Sequence, residues 1–129
     1  MAVMTVAIVE DVPEMRELLR LAFADTSDFK ILHASGSAPE FRKALLFHRP
    51  ELVLLDEVLP GESGLDLVPE LVEAGMKVIL MTGMDAETAK KREIPAGVLG
   101  RVVKPSDRSL DRFPDVVRKL LGRKLLGVF

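Results

Sequence analysis

The sequence predicts an α/β fold: a doubly wound, five-stranded parallel sheet with helices on both faces. Three observations carry that prediction. The runs Val3–Val9 and Leu52–Leu55 are nearly unbroken aliphatic stretches, the pattern of strands buried on both faces. Strand-like and helix-like segments alternate five times along the chain, and right-handed crossovers between successive strands make such a sheet parallel. The length, 129 residues with 48% apolar and 29% charged side chains, is that of one soluble domain with a real core.

Each element has its own justification. Val3–Val9 is the first strand and ends on Glu10-Asp11. Pro13 in a first turn, with Asp11 and Glu14 spaced as a cap, opens a helix that places Met15, Leu18, Leu19, Ala22 and Phe23 on one face. Phe29–Ala34 is shorter and more polar, which suits a sheet edge. Ser37-Ala-Pro39-Glu40 opens a second helix that Arg49-Pro50 closes. Leu52–Leu55 follows as the third strand and ends on Asp56, before a turn at Pro60-Gly61. Leu65–Ala74 reads as the third helix, stopped by Gly75. Lys77–Met81 is the fourth strand, ending on Thr82-Gly83, and Asp85 caps a polar helix over Ala86–Glu93. Val98–Val103 is the fifth strand, ending on Lys104-Pro105. Pro114 cannot stand inside a helix, so the last helix starts there and runs to about Leu121. One domain over 1–121 results, with 122–129 as a short tail or the start of a linker.

Composition removes several function classes. The absence of cysteine excludes a disulfide framework, a thiolate metal site and a cysteine nucleophile. A net charge of −2 offers no general field for nucleic acid or an acidic membrane, and a chain without Trp or Tyr lacks a base-stacking surface. No apolar run approaches the roughly 18 residues needed to span a bilayer. With no signal-peptide pattern at the N-terminus, a cytoplasmic location is expected.

The chemistry lies at the strand ends. In an open α/β sheet of flavodoxin-like order 2-1-3-4-5, ligands bind beyond the carboxyl ends of the strands. Strands one, three, four and five end there on Glu10-Asp11, Asp56, Thr82 and Lys104. Asp56 taken alone is as readily a turn residue as a functional carboxylate. Gathered with the others, it belongs to a pocket of three acids, a hydroxyl and an ammonium. Crowded carboxylates call for a hard cation, and Mg²⁺ accepts one or two of them together with phosphate oxygens. Glu10 and Asp11 are then the candidate metal ligands, and Asp56 the nucleophile for an aspartyl phosphate. Lys104 and Thr82 are placed to hold phosphoryl oxygens.

The ordered set of motifs is an acidic pair, then Asp56-x-x-x-Pro60-Gly61-x-x-Gly64, then Thr82-Gly83, then Lys104-Pro105. Over essentially its whole length the chain resembles the receiver domains of two-component response regulators, in size the single-domain chemotaxis regulators. The resemblance implies a signalling switch, not an enzyme in the ordinary sense, phosphorylated on Asp56 by a histidine kinase or phosphotransfer protein and acting through an unknown downstream protein. It implies Mg²⁺ held by Glu10, Asp11, Asp56 and the main-chain carbonyl of Val58, and a cis peptide at Pro105. It makes the fourth helix and fifth strand, with Arg92 and Arg101, the output face, and it allows a homodimer. Val58 and Met84 stand where the family tunes loss of the phosphoryl group. Both are apolar and cannot orient an attacking water, so slow autodephosphorylation is expected.

Two departures stand out. Arg101 occupies the place of an aromatic residue that couples to the threonine in the family, and Ser106 that of a phenylalanine. Arg101 is expected to lie solvated along its strand, or else to contact a partner. Glu57, which alternation turns away from Asp56, is also expected to be solvated. A degenerate receiver serving as a constitutive interaction module is the alternative these departures raise. Enzymes of the same fold fit poorly. Glu10-Asp11 would repel a flavin phosphate, Val58 stands where haloacid-dehalogenase-type phosphatases need an aspartate, and no dinucleotide glycine pattern or P-loop is present.

Overall fold

The structure, a computed structural model, describes residues 2–123. The part of the expected tail beyond Arg123 lies outside the described residues. Five parallel strands form the main sheet: β1 (Met4–Val9), β2 (Phe29–Ser35), β3 (Leu52–Asp56), β6 (Lys77–Thr82) and β7 (Val98–Val103). Their order is β2-β1-β3-β6-β7, the predicted 2-1-3-4-5. A two-stranded hairpin, β4 (Val58–Leu59) with β5 (Glu62–Ser63), is inserted after β3. Pro60 and Gly61 make its turn, and Gly61 has the positive φ of 72° that the second corner of a Pro-Gly turn demands.

The helices are α1 (Pro13–Ala24), α2 (Ala38–Leu45), α3 (Val68–Glu73), α4 (Ala86–Lys90) and α5 (Phe113–Leu120). Alternation along the strands divides the core into two layers. Val6, Ile8, Leu52, Leu54, Ile79 and Met81 face Leu19 and Phe23 of α1 and Phe113 and Val117 of α5. Ala7, Val9, Val53, Leu55, Val78 and Leu80 face Phe41 of α2 and Val68 and Leu71 of α3. The central strands therefore carry no polar face, which is why their sequences read as continuous aliphatic runs.

Several ends differ from expectation. The first helix starts without a side-chain cap from Asp11. Instead the Val12 amide donates to Glu10 Oε2 at 3.1 Å. The third helix begins as a 3₁₀ turn over Gly64–Leu67. The fourth ends at Lys90, three residues before the expected Glu93, as Pro95 cannot donate back into a helix and disfavours helical backbone before it; the carbonyls of Arg92 and Glu93 accept hydrogen bonds from Arg101. Asp85 does cap it, Oδ1 accepting from the Thr88 amide at 2.8 Å.

One polar network fastens the last helix to the sheet edge. Asp28, immediately before β2, accepts from Arg118 Nε at 2.9 Å and Nη2 at 2.8 Å, while Arg118 Nη1 reaches Asp115 at 2.7 Å. Arg123 donates to the Asp28 carbonyl, and both guanidinium groups lie 5.5 Å from the Phe29 ring centroid. Asp28 and Arg118 are both buried. Arg118→Ala would remove both side-chain hydrogen bonds to the buried Asp28 and leave it only Arg123 at 3.6 Å, and a loss of about 3 kcal/mol is expected in urea unfolding. The Arg118 hydrogen bonds hold the Asp28 carboxyl below its usual range. Its stabilisation is therefore complete above the unfolded-state pKa of about 3.9 and disappears as the pH falls through the lower folded value. In unfolding measured across pH, Asp28→Asn should flatten the stability profile below about pH 4.

Candidate functional site

Register brings the predicted residues to one edge. Val9 pairs with Leu55, and Asp56 with Met81, so Glu10, Asp56 and Thr82 follow one another across three adjacent strand ends. Thr82 pairs with Val103, and the Lys104 amide donates to the Thr82 carbonyl at 2.8 Å, which brings the lysine to the same edge. Glu10, Asp56 and Thr82 are buried, while Asp11 and Lys104 are partly exposed. The sheet thus delivers five side chains from four strand ends to one pocket floor.

Lys104 is the electrostatic hub. Its Nζ donates to Asp56 Oδ2 at 2.9 Å and lies 2.8 Å from Glu10 Oε1. The aligned hydrogen bond goes to Asp56, so Glu10 Oε1 has a charge beside it but no aligned donor. The other Asp56 oxygen, Oδ1, accepts from the Val58 amide at 3.0 Å. Burial pushes the Glu10 carboxyl above the usual carboxylate range. Lys104 and the Val12 amide pull it back in part, and the Asp56 charge pushes it further up. Burial alone would lower the Lys104 ammonium, but the carboxylates of Glu10 and Asp56 beside it outweigh that and hold it above the ordinary lysine value.

The donor set fits a hard cation. One carboxylate oxygen from each of Glu10, Asp11 and Asp56 lies within 4.8 Å of the others. A buried carboxylate oxygen with no aligned donor, in an all-oxygen set, suits Mg²⁺ and not a softer metal. Val58, the expected source of a carbonyl ligand, is exposed at the mouth of the pocket. Met84 is half-buried there, its amide donating to Thr82 Oγ1 at 3.1 Å.

Three expectations are overturned. The Lys104–Pro105 peptide is trans, and no cis peptide occurs among the described residues. The small cis cost of an X–Pro bond permits that isomer without requiring it, and trans stays favoured by about 0.5–1 kcal/mol. Arg101 is not solvated: its side chain is only 3% exposed and is ion-paired with Glu57, itself 6% exposed. Glu57 follows Val53 and Leu55 in phase, on the face away from the Val102 layer, and meets there the guanidinium that alternates with Val102. Arg92, by contrast, is exposed, with Nη1 3.7 Å from Glu57 Oε2. Neither charge taken alone reveals the pair. Their shared face was legible from the alternation.

These features define the class: a parallel α/β domain with an acidic, lysine-bridged pocket at the carboxyl edge of its sheet. The chain belongs to the response regulator receiver domain family, whose model matches residues 6–111. Members of this family are signalling domains and bind Mg²⁺ through an acidic pocket. The methanogenesis regulatory protein FilR1 of Methanothrix harundinacea is 32% identical over 123 residues, covering 92% of this chain and 27% of that protein. The chemotaxis protein CheY of Halobacterium salinarum is 29% identical over 116 residues, covering 87% of this chain and 95% of CheY. The chain thus spans about a quarter of one relative and nearly all of the other. Among solved structures, a chain in the complex of the P1 domain of CheA3 with CheY6 from R. sphaeroides superimposes with a TM-score of 0.77 at 20% identity, covering 95% of this chain and 99% of that one. The signal receiver domain of NarL from Mycobacterium tuberculosis gives 0.74 at 20% identity, covering 95% and 100%. At that identity the likeness is one of fold.

The turn after Asp56 depends on Gly64. Its amide donates to the Glu57 carbonyl at 2.8 Å, and a Cβ there would stand 1.9 Å from the Asp56 carbonyl oxygen. No side-chain rotation relieves a clash with backbone. Gly64→Ala should cost about 1–3 kcal/mol in denaturant unfolding and weaken Mg²⁺ binding, measured by calorimetric titration, because Asp56 must move to admit the methyl.

Proposed function

We propose that the chain is a phosphorylation-dependent switch in which Asp56 accepts a phosphoryl group from a phosphohistidine on a kinase or phosphotransfer protein. The observation that carries the reading is the convergence of Glu10, Asp11 and Asp56 with Lys104 bonded to the central carboxylate. An Asp56 carboxylate oxygen forms the bond to phosphorus while the P–N bond of the donor breaks and the electron pair leaves on the imidazole. Bound Mg²⁺, on Glu10, Asp11, Asp56 and the Val58 carbonyl, would neutralise charge on the transferring group. Lys104 then exchanges its bond to Asp56 for one to a phosphoryl oxygen, and the Thr82 hydroxyl is within its strand's reach of another.

The pocket supports a long-lived product. Hydrolysis needs a water aligned behind phosphorus, and neither Val58 nor Met84 carries a group that could bind one. Arg92, exposed on the α4 side, is available to a downstream partner, whereas Arg101 is already committed to Glu57. The solved complex of the P1 domain of CheA3 with CheY6 supports a phosphotransfer domain as the kind of upstream partner.

Incubation with acetyl phosphate and Mg²⁺ should label the wild-type protein, and Asp56→Asn or chelation of the metal should abolish the label. Failure of every donor to label the wild type would favour a constitutive interaction module instead. Once formed, the label should persist for well over seconds after the donor is removed; decay within seconds would overturn the role given to Val58 and Met84.

A further inference from the structure

The helix α4 is held at its two ends by polar bonds more than by packing. Ala89 is its only buried residue. At its start, the Met84 amide, just before the Asp85 cap, donates to Thr82 Oγ1 at 3.1 Å. At its end, Arg101 Nη1 and Nη2 donate to the carbonyls of Arg92 and Glu93 at 3.2 and 3.1 Å, while Nε donates to Glu57. One buried guanidinium therefore ties the loop after α4 to the residue next to Asp56. Glu57 itself is fixed by its main chain: its amide donates to the Met81 carbonyl at 3.3 Å, and its carbonyl accepts from the Gly64 amide at 2.8 Å.

The two anchors differ in what loading of Asp56 does to them. A hydroxyl has one proton and two acceptor sites, so Thr82 can turn from accepting the Met84 amide to donating toward a new anion. The Arg101–Glu57 pair has no such freedom. Its charges are desolvated, its fork is filled by three acceptors, and Glu57 is pinned at both main-chain groups.

We propose that the Arg101–Glu57 pair is a fixed strut about which α4 pivots when Asp56 is loaded, so that the Met84 end moves and the Arg92 end stays. Arg101 is a positioning residue in this scheme: it touches neither the phosphoryl group nor the metal. The inference rests on the proposed chemistry at Asp56 and adds to it the path by which that chemistry reaches α4.

Beryllofluoride with Mg²⁺ is the probe. Its ¹⁹F resonance reports binding at Asp56, and amide exchange measured by NMR reports the two ends of α4. On loading, exchange at the Met84 amide should change, while the amides of Lys91 and Arg92, bonded to the Thr88 and Ala89 carbonyls, keep their protection. Glu57→Gln, which removes the Arg101 pair and also the 3.7 Å Arg92 pair, should accelerate Lys91 and Arg92 by about tenfold in both states, the scale of losing a charge-assisted bond, with the sheet amides unchanged and the ¹⁹F signal retained. Arg101→Lys serves as the second variant, since a lysine keeps the charge but cannot span Glu57 and two carbonyls. It should release the same amides. Loss of Lys91 and Arg92 protection in the loaded wild type would overturn the fixed pivot. Unchanged exchange at these amides in both variants would overturn the strut. Absence of any bound ¹⁹F signal in the wild type would sink the phosphoryl-acceptor reading instead, while leaving the strut to be judged on the unloaded protein.

Discussion

Three carboxylates at the end of a buried sheet form the constraint to which the neighbouring structure answers. Two like charges 4 Å apart repel by about 4 kcal/mol at an effective dielectric near 20, and Glu10 and Asp56 are both buried. Lys104 offsets part of that cost by lying within 2.9 Å of both. It can do so because β7 lies beside β6 and delivers the lysine to the edge where β1 and β3 end. Glu10, Asp11 and Asp56 would hold a divalent cation that neutralises the remaining charge.

Around this pocket the main chain is fixed by short, specific devices. Gly64 brings its backbone against the Asp56 peptide where no Cβ fits, and the Pro60-Gly61 hairpin turns the chain away from the pocket mouth. The Val58 amide holds one Asp56 oxygen while Lys104 holds the other, so the carboxylate is oriented before any ligand binds. Such preorganisation is most of what a protein can contribute to phosphoryl transfer, which needs position and charge more than covalent help.

Two buried ion pairs play different parts in the molecule. Asp28–Arg118 joins β2 to α5 at the far edge, in bidentate geometry and under an aromatic ring, and its work is to hold the fold. Arg101–Glu57 lies beside the pocket and reaches past it to the loop after α4. Arg101 is buried on β7 only because an acid just past the end of β3, across β6, meets it. A lone buried guanidinium would have forfeited its hydration without return.

The sequence by itself determined the sheet, its order and the gathering of Glu10, Asp11, Asp56, Thr82 and Lys104. Strands buried on both faces leave an aliphatic signature, and parallel crossovers force their ends to one edge. Helix starts set by local features were equally legible: side-chain caps at Ser37 and Asp85, and a proline in the first turn at Pro114. Other features depended on partners distant in the chain. The Lys104 bridge to Asp56 and Glu10 and the Asp28–Arg118 pair each follow from which group lies nearest in space. The fate of Arg101 shows the difference most clearly. A charge on a strand reads as solvated until its opposite is found on the same face, and only the packing of β7 beside β6, next to the end of β3, brings Glu57 there.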